Sequence, residues 1–403
     1  MSFLSAIGYE AKSLWGGGKG PSLLTIAGAW SILLGVRMAY PVLLPYLSDS
    51  FGLSLTVAGL LVTLLWLGSA LGQLPGGILA DRYSERLVMT AGTITVAVAL
   101  VGVMVAPTPI MLFLATGVVG FGQSLYPIAR ITILSEIYAD RIGSALGVTM
   151  AMGDLGQTVL PPITGMLAAA IAWQAGLGFL IPFLLLAGVM LWVVLPAQDV
   201  TASTVDTLSV ETARYAIAEL RRSNLLFVSF ILFLYILVWQ SFTGLYPTYL
   251  VNEKGLSSSV AGVLFSLFFA FGVIVKPVAG AAYDRIGMRN ALVLVLIGPV
   301  AGLGLLPVIE GFWPLVGVTA LVSLMLGSGA ITQSFLSDAI ADDIQGTGLG
   351  VVRTATATFG AMGPVFFGGI ADRGYFDEGY LLLAVTLCAV ILLTLQLPRS
   401  SSV

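Results

Sequence analysis

Apolar runs of about 20 residues, separated by short polar breaks, fill the chain from end to end. Twelve are apparent, at roughly 22–46, 54–80, 87–106, 109–136, 143–170, 176–195, 224–250, 258–283, 290–309, 313–337, 346–370 and 379–397, numbered here as spans 1 to 12. Each is long enough to cross the hydrocarbon core of a bilayer as a helix. Backbone groups cannot stay unpaired in lipid, and runs this long and uniformly apolar fit helices rather than barrel strands. The pattern predicts an all-α membrane protein with twelve transmembrane helices.

The pattern also repeats. Shifted by 203 positions, residues 46–61 (YLSDSFGLSLTVAGLL) fall on 249–264 (YLVNEKGLSSSVAGVL), with nine of sixteen identical. The same shift carries Asp81, Arg82 and Arg86 onto Asp284, Arg285 and Arg289, and Pro161 and Gly165 onto Pro364 and Gly368. Duplication in so apolar a chain predicts two pseudo-symmetric six-helix halves with a binding site between them. The expected organisation is an N-terminal segment (1–21), a first half (22–195), a linker (196–223), a second half (224–397) and a tail (398–403). Phe3, Leu4, Ile7 and Leu14 recur at roughly helical spacing, which fits either a short helix on the membrane surface or a frayed end. Within the linker, residues 209–222 read as an amphipathic helix.

Composition excludes a soluble globular domain: 58% of residues are hydrophobic, 9% are charged, and the mean hydropathy is +1.02. The net charge of −3 says little, but the placement of charge says more. Lys12, Lys19, Arg82, Arg86, Arg141, Arg214, Arg221, Arg222, Arg285, Arg289 and Arg399 fall on one side of the predicted topology, the basic side. Only Lys254 and Arg373 fall on the opposite side. The positive-inside rule then predicts a multi-pass protein of the cell membrane with both termini in the cytoplasm. The single cysteine, Cys388, excludes an intrachain disulfide, and the absence of histidine excludes a His-based metal site or proton relay. No nucleotide-binding loop or catalytic constellation is present, so the expectation is a non-enzyme without cofactor or metal, monomeric, and without a nucleic-acid partner.

Between spans 2 and 3 the chain reads GILADRYSER (77–86), and between spans 8 and 9 GAAYDRIGMR (280–289). Both resemble the signature loop of the major facilitator superfamily, a Gly followed four residues on by Asp-Arg and then by Gly and basic residues. The first copy has Ser84 and Glu85 where Gly and a basic residue are usual, and the second has Met288 in place of a basic residue. Gly77 and Gly280 are expected at close helix approaches. Asp81 and Asp284 are expected to accept from helix N-termini, and Arg82, Arg86, Arg285 and Arg289 to bind groups across the seam, holding one conformation shut on the basic side. In span 5, Gly147, Gly156, Pro161 and Gly165 partly resemble the family's Gly-Pro pattern, and span 11 keeps Gly363-Pro364 and Gly368-Gly369. The resemblance runs from span 1 to span 12 and implies the major facilitator fold.

Five charges lie clearly inside predicted spans, away from their ends: Arg37 (span 1), Arg130 (span 4), Lys276 (span 8), Arg353 (span 11) and one carboxylate, Asp154 (span 5). A charge near the bilayer centre costs at least about 2.5–3.5 kcal/mol, so each is expected to face protein or water. Four cations against one anion predict an anionic ligand. Under the repeat Arg37 falls on Gln240, Arg130 on Gln333, Asp154 on Ala357 and Arg353 on Met150, so these charges are not part of the duplicated scaffold. Arg130 and Asp154, at comparable depth on consecutive spans, are candidates for a coupling or structural pair. The segment around Pro127 and Arg130 resembles that of organophosphate–phosphate exchangers. KPVAG, beginning at Lys276, resembles monocarboxylate and oxalate–formate carriers, in which this cation meets the substrate carboxylate and, in the oxalate carriers, is joined by a second cation, here Arg353. The carboxylate that the monocarboxylate carriers place one turn earlier is replaced by Gly272.

The expected substrate site therefore comprises Arg37, Tyr40, Gln240, Lys276 and Arg353, with Gln123, Tyr126, Tyr235, Trp239, Tyr246 and Gln333 as further lining candidates. The expected function is secondary active transport of a small anionic solute, a carboxylate, by proton coupling or anion exchange. Two alternatives stay open at this point: a proton-driven exporter of hydrophobic compounds centred on Asp154, and a receptor that binds a solute without moving it.

Overall fold

The computed structural model describes residues 14–196, 223–329, 331–332 and 345–397. The surface helix expected near Phe3, the linker helix and Gln333 lie outside these residues.

The described parts of all twelve apolar runs are helical, and several of the interruptions fall at proline or glycine. Span 1 is one helix, Gly20–Phe51, ended by Gly52 in the left-handed conformation (φ 62°). Span 7, Ser223–Asn252, is its counterpart and is followed by Gly255 at φ 64°. The next helices of the two halves start on Ser54 and Ser257, whose hydroxyls accept from the amides of Val57 and Val260. The repeat seen in the sequence is thus a repeat of helix stop and start signals. Span 2 divides into Leu55–Leu71 and Gln73–Arg82, and span 4 into Pro109–Ser124 and Tyr126–Ile137, where Pro127 has no amide to continue the ladder. Span 5 is a single helix, Ile142–Ala170, and span 11 breaks into Gln345–Gly360 and Gly363–Ala371. Spans 3 and 12 are Glu85–Met104 and Phe376–Thr394, while span 6 comprises Trp173–Gly178 and Leu180–Val194. Span 10 begins with Phe312–Ser323. Among the described residues eight helical stretches, with Pro109–Ile137 and Trp173–Val194 each taken as one, are long and apolar enough to cross a membrane, and Leu55–Leu71 is a shorter apolar helix.

The two signature loops turn by different means. Spans 8 and 9 form one helical run, Ser258–Leu305, that pivots on Gly287 at φ 71° and ψ 170°. A side chain at that φ is strained, so glycine is kept. In the first loop Ser84 occupies the equivalent position in an extended conformation (φ 166°), and its hydroxyl accepts from the amide of Leu87 as the N-cap of span 3. The serine that departs from the signature therefore replaces a left-handed turn with a cap.

Large apolar side chains such as Val98, Leu114, Val193, Ile274 and Val385 are exposed on the outer faces of the bundle. A surface as apolar as the interior belongs in lipid. Inside, the halves meet along two seams, span 2 against span 11 and span 8 against span 5. A Cβ on Gly59 would lie 2.2 Å from the Pro364 carbonyl oxygen, and one on Gly368 would lie 2.2 Å from that of Leu55. The counterparts under the 203 shift are Gly262, 3.4 Å from the Pro161 oxygen, and Gly165, 3.0 Å from the Ser258 oxygen. The glycines and prolines of the repeat are therefore reciprocal seam contacts, tighter at spans 2 and 11 than at spans 5 and 8. All of them lie toward the opposite side, where the bundle is shut.

A carboxylate reinforces that closure. Asp372, just beyond span 11, accepts from the backbone amides of Leu55 (2.6 Å) and Thr56 (2.8 Å) and from the Thr56 hydroxyl, capping the first turn of span 2. Burial pushes the Asp372 carboxyl up, but the hydrogen bonds from Thr56, Ser54 and Leu55 together hold it below the ordinary carboxylate value. A carboxyl lowered in the closed state stabilises that state above its ordinary value of 3.8 and loses the effect as pH falls through the lowered value. The latch is therefore fully formed at neutral pH and released only in acid. Asp372→Ala should cost the closed state about 1 kcal/mol at pH 7, about a fivefold shift toward opening on the opposite side. Spin labels at Asp49 and Glu253, with Cys388 replaced by serine, report it as a lengthened distance distribution.

Candidate substrate site

Span 1 presents Arg37 to the interior beside Gly35, where the helix touches Leu160 of span 5 so closely that a Cβ would sit 2.1 Å from its Cδ1. Arg37 donates from Nε to Gln123 Oε1 at 3.1 Å and from its guanidinium to Ser69 Oγ. Gln123 in turn donates from Nε2 to the Leu33 carbonyl at 3.0 Å, which fixes its oxygen toward the arginine. The guanidinium carbon lies 5.8 Å from the Trp66 ring centre. These partners are all neutral, and among the described residues Arg37 makes no ion pair.

Asp154 is placed differently from the sequence expectation. Its Oδ1 accepts from Lys276 Nζ at 2.6 Å, forming an ion pair between span 5 of the first half and span 8 of the second. Gln157, one turn later, donates to the same oxygen at 3.3 Å. Arg130 instead donates to Thr149 Oγ1 at 3.1 Å and lies 4.3 Å over the ring of Trp30. Trp30 stacks on Tyr126, whose hydroxyl donates to the Ile26 carbonyl at 2.8 Å. Arg130 is thus bound into the first half by spans 1, 4 and 5. The expected Arg130–Asp154 pair is corrected to Asp154–Lys276, because side-chain direction around span 5 prevails over depth along it. The carboxylate missing at Gly272 is supplied to Lys276 by the other half. At Gly272 itself, Leu326 approaches to 2.5 Å of where a Cβ would be.

The aromatic candidates divide by their hydrogen bonds. Tyr40 is fully buried, its hydroxyl meeting Thr116 of span 4 rather than Arg37. Tyr235 donates to the Met325 carbonyl at 2.7 Å, and Tyr246 shares a 2.6 Å hydrogen bond with Thr319. These tyrosines bind helices within one half. Gln240, the repeat counterpart of Arg37, is buried, and its Oε1 has no hydrogen-bond partner. Trp239 of span 7 packs edge-to-face on Trp66 of span 2, in the other half, with ring centres 4.9 Å apart. Sequence reasoning passed over Trp66 and Ser69. Their signal was a tryptophan in mid-span, with a serine one turn on, far from either interface. Arg353 lies on the helix Gln345–Gly360, and its side chain is outside those described.

At the signature loops, Gly77 and Asp81 lie on the helix Gln73–Arg82, with side-chain positions outside those described. The loop arginines hold their own halves. Arg82 is exposed beside the Tyr83 ring, Arg86 lies 4.2 Å over Trp192, and Arg289 donates to the Leu397 carbonyl at 3.4 Å. Asp284 and Arg285 are exposed and make no ion pair among the described residues. Gly280 faces open space, contrary to the expected close approach. The close approach on this turn of span 8 falls one residue earlier, where the Ala279 methyl lies 2.6 Å from the place of a Cβ on Gly327.

A helical bundle of two repeated halves, meeting along charged and glycine-lined seams in an apolar exterior, defines a membrane transporter. The model of the Major Facilitator Superfamily matches residues 25–364 and 228–402, and the chain belongs to that family. The hexuronate transporter of Bacillus subtilis (strain 168) is 26% identical to it over 371 residues, 86% of each chain. A probable sulfoacetate transporter of Cupriavidus necator is 25% identical over 377 residues, again 86% of each. The structure of a mutant of the nucleoside transporter NupG matches with a TM-score of 0.80 over 93% of this chain and 98% of that one, at 14% identity, a likeness of fold.

Proposed function

We propose that this protein is a secondary active transporter of a small organic anion, a carboxylate. It would work as a monomer in the cell membrane, with both termini cytoplasmic, driven by protons or by exchange against another anion. The observation that carries this reading is Arg37, a cation inside the bundle whose hydrogen-bond partners, Gln123 and Ser69, are both neutral. A guanidinium so placed favours an anionic guest, for which its planar fork is well shaped. Relatives named for hexuronate and sulfoacetate, both anions, support the same class. Asp154, the residue an exporter of hydrophobic cations needs, is neutralised by Lys276, which counts against that alternative.

The test is ligand-induced thermal stabilisation of the purified protein by small carboxylates, sulfonates, sugar phosphates, inorganic anions and lipophilic cations. A ligand that binds only the folded state raises stability as RT ln(1 + [L]/Kd). A carboxylate should stabilise the native protein, and Arg37→Gln should weaken its binding about 10- to 100-fold, the value of charge-assisted hydrogen bonds of about 1.5–3 kcal/mol. Stabilisation by lipophilic cations alone would overturn the reading. Net solute flux into liposomes separates a transporter from a receptor.

A further inference from the structure

Trp66, beside Arg37, is one of several buried polar groups on spans 2 and 7 that the fold leaves without a partner. The indole Nε1 atoms of Trp66 and Trp239, the Oε1 of Gln240 and the hydroxyl of Thr63 are buried without a hydrogen-bond partner. Trp66 is 5% exposed, Gln240 3% and Thr63 2%. Buried polar groups are normally paired, so orphans at Thr63 and Trp66 on span 2 and at Trp239 and Gln240 on span 7, two helices joined by the Trp66–Trp239 contact, require an account. Thr63 and Trp66 are one turn apart on span 2. Trp66 touches both the Arg37 guanidinium and Trp239, and Gln240 follows Trp239 on span 7. An edge-to-face indole pair lets at most one N–H point into the neighbouring ring, so ring contact cannot satisfy both donors.

We propose that Trp66, Trp239 and Gln240 form a second subsite for the hydroxyl-bearing body of the anion whose charge Arg37 holds. The inference rests on the anion reading of Arg37 and narrows it to hydroxylated carboxylates. An indole N–H only donates, so each tryptophan calls for an oxygen acceptor; an amide oxygen only accepts, so Gln240 calls for an O–H. A hydroxyl group is both, whereas a plain hydrocarbon carboxylate offers acceptors only in the carboxylate that Arg37 engages and no O–H for Gln240. Trp66 and Trp239 belong to different halves, so any rocking that parts the halves exposes both donors together. Pairing these atoms with a bound ligand removes a penalty that the empty closed state carries.

The experiment compares two six-membered-ring carboxylates, glucuronate and cyclohexanecarboxylate, by calorimetric binding to the native protein and to Trp66→Phe and Trp239→Phe. Phenylalanine keeps an aromatic ring and removes the N–H. Glucuronate should bind the native protein more tightly. Each substitution should weaken it about fivefold, the worth of one neutral hydrogen bond, and leave cyclohexanecarboxylate within about twofold. Deoxy analogues of glucuronate, measured on the native protein alone, should fall stepwise toward the hydrocarbon acid, which keeps the test independent of how the variants fold. Equal weakening of both ligands, no change in either, or binding of cyclohexanecarboxylate without glucuronate overturns the subsite and leaves the anion reading standing. Failure of every anion to bind the native protein overturns the anion reading itself.

Discussion

Lys276→Gln is expected to destabilise the protein by about 2–4 kcal/mol, because it strands the Asp154 carboxylate inside the bundle without a counter-charge. The pair is neither fully buried nor at the surface: the Lys276 side chain is 32% exposed and that of Asp154 14%. The expected cost therefore lies between the 0–1 kcal/mol of surface pairs and the roughly 3–5 kcal/mol of breaking fully buried ones. Asp154→Asn should be costly for the same reason, by leaving the lysine alone. The double variant, with neither charge, should recover most of the loss, since replacing both members of an ion pair is far gentler than removing one. Melting of the four proteins in one detergent gives the coupling directly. Additive losses in the double variant would show that the 2.6 Å contact contributes nothing and that each residue acts through other partners.

Gly59→Leu is expected to abolish transport while leaving a folded protein. The new Cβ would stand 2.2 Å from the Pro364 carbonyl oxygen and 2.8 Å from its carbon, backbone atoms with no rotamer to yield. The overlap falls between halves rather than within one, so the halves can part while each keeps its own core. The protein should then be held open on the opposite side, with a longer distance between labels at Asp49 and Glu253. Gly156→Leu makes a contrasting control. Its Cβ would stand 2.0 Å from the Ser31 oxygen inside the first half, and overlap there should prevent folding. The repeat counterpart Gly262→Ala should be tolerated, because its Cβ has 3.4 Å to the Pro161 oxygen. Transport by Gly59→Leu at the native rate would mean that this seam need not close.

The sequence displayed the spans because lipid demands uninterrupted apolar helices, and it displayed the repeat because both halves reuse one set of stop and start residues. Gly52 with Ser54, and Gly255 with Ser257, serve as helix end and cap in both copies. It did not display which charges meet. Arg130 and Asp154 share a depth, but pairing depends on direction around the helix, and a single unaligned span does not reveal which way Asp154 faces. The repeat held a usable hint. If Gly59 of span 2 packs on Pro364 of span 11, then symmetry sends Gly262 of span 8 to Pro161 of span 5, and Asp154 and Lys276 lie on those two helices. Trp66 was missed because a tryptophan in a membrane protein first suggests an interfacial anchor. Gly280 misled because the helix contact on that turn is made by its neighbour Ala279, which faces Gly327.

The cancelled charge of Asp154 and Lys276 and the unpaired charge of Arg37 have an electrical consequence. Taken together, Asp154, Lys276 and Arg37 carry one net positive charge when no ligand is bound, and a bound monoanion offsets it. A membrane potential acts on a unit charge with about 2.3 kcal/mol per 100 mV when the whole field is crossed. Where no proton travels with the anion, these three residues would make the unloaded limb of the cycle more sensitive to voltage than the limb that carries cargo.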